Sequence, residues 1–330
     1  MIDTHGRNIN KLRVSIGEAC NFSCIYCVDQ IGAHQVEPHH LKFDGMLKLI
    51  ELLKTHAGIE KVRLTGGEPL LFRPLPQLIQ GIAELGISNI GVTSNGYLFP
   101  KLAAVLKEAG LKSVNVSLDS VDPKNFRRLA RAGNLKRVLE GIESALLAGL
   151  KVKINTVVMR GENDHELNNI LDYAFSREIE VRFLELMKMG PLFKKGNTAG
   201  TCSEKGNSPI TPDQFVSMKE MLAEIGRRYS YNPIQAEHDS TALLFQTPQG
   251  NFGIIANESA PFCASCSRMR LTATGNLVGC LSNPQEISIR HLINASDPGK
   301  ELQSLFTQSI AQKRDSTFTG SSLVMSSIGG

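Results

Sequence analysis

The sequence has no strong charge bias, no long apolar run and no apolar leader. Across 330 residues, 36 Lys and Arg stand against 32 Asp and Glu, for a formal net charge of +4. So small an excess gives no electrostatic case for a nucleic-acid partner, although clustered Arg and Lys can still serve a small anionic ligand. No stretch reaches the roughly 20 apolar residues that a membrane-spanning helix needs. The opening Met1-Ile2-Asp3-Thr4-His5-Gly6-Arg7 has no apolar h-region, so no signal peptide is expected and the expected compartment is the cytoplasm. Seven cysteines in such a chain point to metal ligation in a reducing environment rather than to disulfides. The composition, 42% hydrophobic and 21% charged, suits one barrel-sized globular domain with a smaller appendage.

Three of those cysteines fall within eight residues, Cys20-Asn21-Phe22-Ser23-Cys24-Ile25-Tyr26-Cys27. Structural zinc takes four protein ligands and an iron–sulfur cluster usually takes four cysteines, so the set is one ligand short. Either a distant residue completes a zinc site, or a cubane sits on three thiolates with one iron left open. The spacing C-x3-C-x2-C resembles that of the radical S-adenosylmethionine (SAM) superfamily. That resemblance implies a 4Fe-4S cluster on Cys20, Cys24 and Cys27 whose open iron chelates SAM. Tyr26 then matches the aromatic position against the adenine.

Six short runs alternate apolar and polar residues: Leu12–Ile16, Val62–Thr65, Asn89–Thr93, Ser113–Leu118, Lys151–Val158 and Glu180–Leu184. Helical patterns separate them at Leu47–Lys54, Leu75–Leu85, Leu98–Ala109, Leu135–Leu147 and Leu167–Phe175. Strand then helix, repeated, predicts βα units with a parallel sheet. Successive strand side chains point to opposite faces. Arg13 and Ser15, Arg63 and Thr65, Ser113 to Asp119 at odd positions, and Lys153 and Asn155 all fall on one polar face. A closed barrel fills its interior with branched apolar residues. A polar inner face predicts instead an α/β fold built as a partial, open TIM-type barrel with a ligand cavity. The expected division is a barrel over 1–187, a linker over 188–210, and a C-terminal α+β extension over 211–330. Thr211-Pro212 is expected to open a helix, Thr241–Ile255 to form a hairpin, and the Ser/Thr/Gly-rich stretch Asp315–Gly330 has the look of a frayed tail.

Two further motifs bear on chemistry. Thr65-Gly66-Gly67-Glu68-Pro69 closes the second run, where two glycines allow close approach to the backbone and a carboxylate can take an ammonium group. A second thiol set, Cys263, Cys266 and Cys280, again lacks a fourth ligand. Two incomplete sets suggest two open clusters; a zinc ribbon completed by Cys202, His238 or His291 is the rival. Cys202 itself receives no role. Beside the second set stand Arg268 and Arg270, which share a strand face and suit bidentate phosphate or carboxylate recognition.

Together, the early triplet, Gly66-Gly67-Glu68, C-x2-C-x13-C with Arg268-Met269-Arg270, and the terminal Ile328-Gly329-Gly330 resemble the GTP 3′,8-cyclase family of molybdenum cofactor biosynthesis over essentially the whole chain. The resemblance implies a lyase with two 4Fe-4S clusters and SAM. By it, Gly67, Glu68, Ser117 and Met187 join Tyr26 as SAM contacts. Arg13, Arg63, Thr93, Lys153, Arg182, Arg268, Met269 and Arg270 become GTP contacts. Arg268, Arg270, Gly329 and Gly330 become catalytic positions, the tail entering the active site. The second cluster, on Cys263, Cys266 and Cys280, holds the purine. Radical abstraction at C3′ and attack on C8 yield 3′,8-cyclo-7,8-dihydroguanosine 5′-triphosphate. Implied partners are an electron donor such as flavodoxin or ferredoxin, the downstream cyclic pyranopterin monophosphate synthase, and a second copy in a homodimer. Two rival readings are a peptide-modifying radical SAM enzyme, which usually carries more C-terminal cysteines, and a non-enzymatic iron–sulfur sensor, which does not need Gly66-Gly67-Glu68. Glu18-Ala19, where the family often has Asp-Arg, and Phe72, often Arg, depart from its pattern.

Overall fold

The computed structural model describes residues 1–27, 39–190, 211–238 and 240–328. The six predicted strands form as β1 (Lys11–Ser15), β2 (Lys61–Thr65), β3 (Asn89–Ser94), β4 (Ser113–Ser117), β5 (Lys151–Val158) and β6 (Glu180–Glu185). Each pairs in parallel with the next. The connecting helices are α1 (Phe43–Ala57), α2 (Leu75–Glu84), α3 (Phe99–Glu108), α4 (Pro123–Ala130), α5 (Leu135–Leu147) and α6 (Leu167–Phe175). Leu12, Val14, Leu64, Val92, Val116 and Ile154 turn to the helices and bury against Leu53, Ile82, Leu106 and Ile142. Burial of this one face is the main stabilising term, and it leaves the polar positions on the other.

Helix α4 is short and mostly polar, and its apolar stripe is only Phe126, Leu129 and Ala130. It forms because Asp122 accepts from the Asn125 N–H as an N-cap and Pro123 opens the first turn. Where a helix was expected after Thr211, only a 3-10 turn (Pro212–Gln214) forms, since Phe215 is extended. Helix α7 (Met218–Ile225) starts after it, from a capping box of Ser217 and Glu220.

The hairpin is present as β8 (Leu243–Thr247) and β9 (Gly250–Ile255), with β7 (Asn232–Ile234) at its edge. β9 also pairs in parallel with β6. β10 (Arg268–Leu271) pairs in parallel with β1, and β11 (Asn276–Cys280) and β12 (Asn283–Ser288) follow antiparallel. Strands of the C-terminal region therefore extend both edges of the barrel sheet. The result is one open 12-stranded sheet of order β12-β11-β10-β1-β2-β3-β4-β5-β6-β9-β8-β7. Helices α8 (Gly299–Ile310) and α9 (Met325–Ile328) complete the chain, α8 against α1 and α9 against β1. The stretch after Asp315 is not frayed up to Ile328: Ser321 and Ile328 are buried, and Ser321 bridges to Met189. No helix among the described residues is long and apolar enough to cross a membrane.

Candidate active site

The first thiol loop leaves β1 through Gly17 and is fixed from two sides. Gly67 N donates to Gly17 O at 2.8 Å, and Glu68 N to Ala19 O at 2.7 Å. A Cβ on Gly66 would lie 2.2 Å from Gly17 O, and one on Gly67 2.3 Å from Glu18 O. The close approach that these glycines permit is thus made by the chain's own backbone. From the other side, Ser23 N donates to Ala130 O at 3.1 Å and Ile25 N to Leu129 O at 3.0 Å. Cys20, Cys24 and Cys27 are free, partly buried thiols. Burial pushes Cys20 up to about 12 and Cys27 to about 11. Cys24 is raised by burial, then by Asp119 and by the two other thiols of the loop.

Around this loop the carboxylates are buried and engaged. Glu68 accepts from Leu70 N at 3.0 Å, Ser94 Oγ at 2.8 Å and Asn95 N at 2.7 Å. Burial raises it to about 7 against those hydrogen bonds. Asp119 accepts the Tyr26 hydroxyl at 2.9 Å and Val157 N at 2.9 Å, which fixes the Tyr26 ring. Ser117 ends β4 two residues before Asp119. Met187 follows β6 and packs near Met189, Val278 and Ile328.

The polar face forms a cationic wall. Register places Arg270, Arg13 and Arg63 side by side on β10, β1 and β2. Thr93 faces Asn115, Asn115 faces Lys153, and Asn155 faces Arg182. Arg13 is lowered by burial, then by Arg270, Arg268 and Arg63. Burial and Arg182 bring Arg63 down to about 10, and burial and Arg268 do the same for Arg270. Glu180 bridges Lys153 at 2.7 Å and Arg182 at 2.8 Å. Thr93 Oγ1, Asn155 Oδ1 and Arg268 Nη2 are buried with no hydrogen-bond partner among the described residues. Buried polar atoms are normally paired, so this face offers donors at Arg268 and Thr93 and an acceptor at Asn155 to the polar groups of a ligand.

The second thiol set lies at the other end of the same face. β10 runs parallel to β1, and Lys11 N donates to Ser267 O at 3.2 Å. Cys263 and Cys266 therefore sit at the start of β1, and Cys280 returns to that end on antiparallel β11. The length of β1, about 16 Å for a five-residue strand, separates the two sets. Cys263 is raised by burial, then by Cys280 and Cys266. Burial opposes ionisation of Cys266, but Arg268 and Lys313 outweigh it and bring the thiol down to about 6. Buried Lys313 donates to Cys266 Sγ at 3.3 Å, Arg268 O at 2.8 Å and Gly279 O at 3.1 Å. Arg7, paired with Asp3 at 2.6 Å, donates to Cys263 O at 2.5 Å and Arg314 O at 2.7 Å.

Met269 stands between Arg268 and Arg270 with its side chain buried in the core. Arg270 Nη1 donates to Ile328 O at 3.1 Å, which brings the last described residue to the wall. Gly329, Gly330 and Cys202 lie outside the described residues. Sequence reasoning did not single out Asp119, Glu180, Lys313 or Gly91 as site residues. Strand parity carried a signal for Asp119 and for Glu180, which shares a face with Arg182 on β6.

Among the described residues, no three His, Cys, Asp or Glu side chains are grouped as ligands of one metal ion. Each triplet offers three thiols, one short of the four ligands of a closed zinc site, and three thiolates suit a 4Fe-4S cluster with one iron left open.

Residues 14–174 match the Radical SAM superfamily and residues 179–319 match Molybdenum Cofactor Synthesis C. GTP 3′,8-cyclase of Petrotoga mobilis is 38% identical over 88% of this chain and 86% of its own. That of Hydrogenovibrio crunogenus is 35% identical over 96% of this chain and 94% of its own. Streptococcus suis SuiB bound to S-adenosylmethionine shares the fold at TM-score 0.60, with 13% identity over 90% of this chain and 68% of that one. The open barrel with a C-terminal extension and two thiol triplets facing a cationic wall therefore has full-length relatives with both regions in the same order, and the chain belongs to the GTP 3′,8-cyclase family of radical SAM proteins.

Proposed function

We propose that the chain converts GTP to 3′,8-cyclo-7,8-dihydroguanosine 5′-triphosphate, the first step of molybdenum cofactor synthesis, as a SAM-dependent lyase. The observation that carries this reading is the cationic wall with its unpaired Thr93, Asn155 and Arg268 atoms, set between two thiol triplets. A triphosphate carries about four negative charges at neutral pH, and a buried basic lining is what it requires.

In this reading Cys20, Cys24 and Cys27 hold one 4Fe-4S cluster, and Cys263, Cys266 and Cys280 hold another. The first cluster with SAM supplies, when bound, the one-electron chemistry that generates a 5′-deoxyadenosyl radical. Tyr26, oriented by Asp119, packs against the adenine, and Gly67, Glu68, Ser117 and Met187 frame the rest of SAM. Lys153, Arg182, Arg63 and Arg13 neutralise the triphosphate, while Thr93 donates to the nucleotide. Arg268 and Arg270 act beside the purine, Arg270 also donating to the carbonyl of Ile328, and Gly329 and Gly330 keep the catalytic role that the resemblance gives them. Water exclusion falls to the buried wall and the tail. Functionally, residues 1–187 carry the SAM half and 211–330 the purine half, joined by 188–210. An external reductant feeds the first cluster, and the synthase of cyclic pyranopterin monophosphate takes the product.

The test is anaerobic reconstitution followed by SAM, GTP and a reductant. The reading expects 5′-deoxyadenosine and a cyclised nucleotide in step. SAM cleavage that ignores GTP would favour a peptide substrate, and intact SAM would favour a sensor.

A further inference from the structure

Residues 123–137 contain six basic side chains, Lys124, Arg127, Arg128, Arg131, Lys136 and Arg137, and no acidic one, against a net charge of only +4 for the whole chain. They span α4, the following turn and the start of α5. This corner is packed directly onto the first thiol loop. Ala130 O and Leu129 O take the Ser23 and Ile25 amides. The Phe22 ring meets Phe126 edge-on at 6.0 Å and Tyr97 at 5.8 Å. Gly133, at φ +83°, leaves the ring its space, since a Cβ there would lie 2.3 Å from Phe22 Cε1. Arg137 then covers Tyr97 at 5.7 Å.

Lys124, Arg127 and Lys136 are exposed, and none forms an ion pair with a described carboxylate. Arg127 and Lys136 also line a groove of about 570 Å³ between α4 and α5, together with Glu140 and with Glu143, which is paired to Arg177; of the six basic residues, Arg128 is paired to Glu162. None of the three reaches the inner face of the sheet. A basic surface on the outer helices, hydrogen-bonded through its backbone to the first thiol loop, suits a negatively charged protein that delivers electrons to a cluster held there. Opposite charge steers such encounters and fixes their orientation.

We propose that the α4–α5 corner is the docking surface for an acidic one-electron carrier protein that reduces the cluster held by Cys20, Cys24 and Cys27. The inference rests on the cluster reading of that thiol set. One electron leaves the reduced carrier, which is oxidised by one electron, and the protein's cluster is reduced by one; no bond or proton moves.

The experiment compares two reductants on the reconstituted full chain. Wild type and a Lys124→Gln, Arg127→Gln, Lys136→Gln variant are assayed for 5′-deoxyadenosine with dithionite and with a reduced flavodoxin, over a series of salt concentrations. Dithionite-driven rates should agree within about twofold. The flavodoxin-driven rate at subsaturating carrier should fall about tenfold in the variant through KM for flavodoxin rather than kcat, and only wild type should lose rate with salt. Direct binding of flavodoxin to the chain, read by calorimetry, should weaken about tenfold in the variant, and equal flavodoxin-driven rates or equal flavodoxin binding overturn the proposal. Failure of wild type with dithionite removes the cluster reading instead. Should the triple variant lose both activities, Lys136→Gln alone, at an exposed first turn, must keep the dithionite rate and show the raised KM.

Discussion

The guanidinium of Arg63 lies across the backbone of Gly91, where a Cβ would come within 2.8 Å of Arg63 Cζ. From there Arg63 donates to Val92 O at 3.1 Å and Ser113 Oγ at 3.4 Å. Gly91 has no positive φ, so the glycine provides space rather than conformational freedom. Gly91→Ala should dislodge Arg63 and weaken GTP binding about tenfold or more, as expected for loss of a charged hydrogen-bonding partner. Titration calorimetry with GTP and, separately, SAM checks this. Unchanged GTP affinity, or an equal loss for SAM, would show that Arg63 is not held for the nucleotide.

Lys313 ties the second thiol set together. Its buried ammonium holds one thiol and two carbonyls on β10 and β11. Lys313→Met leaves those carbonyls without a donor and should cost about 2–3 kcal/mol in urea unfolding. It should also lower reconstituted iron from about eight to about four per chain. A variant with wild-type iron and stability would mean that the thiol set is organised without the lysine.

Glu68 predicts a pH dependence of the metal-free chain. Burial raises its carboxyl to about 7 from a usual value of 4.5. Between those values the folded state keeps a proton that the unfolded state has released, so stability falls as pH rises through that window. The loss is on the order of 3 kcal/mol and levels off above it. Asp119, raised by burial to about 6, adds to the same trend, so the difference between wild type and Glu68→Gln isolates the Glu68 share. Parallel stability curves for the two chains would mean that Glu68 ionises normally.

Much of the wall was legible from strand parity, because helices bury one face of each βα strand and leave Arg13, Arg63 and Lys153 on the other. The thiol sets were legible from spacing. Pairing of β9 with β6 and of β10 with β1 was not, because contacts between segments so far apart in the chain leave no local periodicity. Helix α4 escaped because its apolar stripe is only Phe126, Leu129 and Ala130 in eight otherwise polar residues, too short for a period to stand out. Lys313 and Arg7 lie far in sequence from the thiols that they support, and Gly91 gains meaning only once Arg63 is seen across it.

Loss of one late thiol bears most directly on the division of labour between the two triplets. Cys280→Ala, reconstituted anaerobically, should bind about four irons per chain instead of about eight. It should still form 5′-deoxyadenosine from SAM and a reductant, yet yield no cyclised GTP. Zinc in the wild-type protein at the late thiols, or full cyclisation by Cys280→Ala, would contradict a purine-holding cluster at that end of the wall.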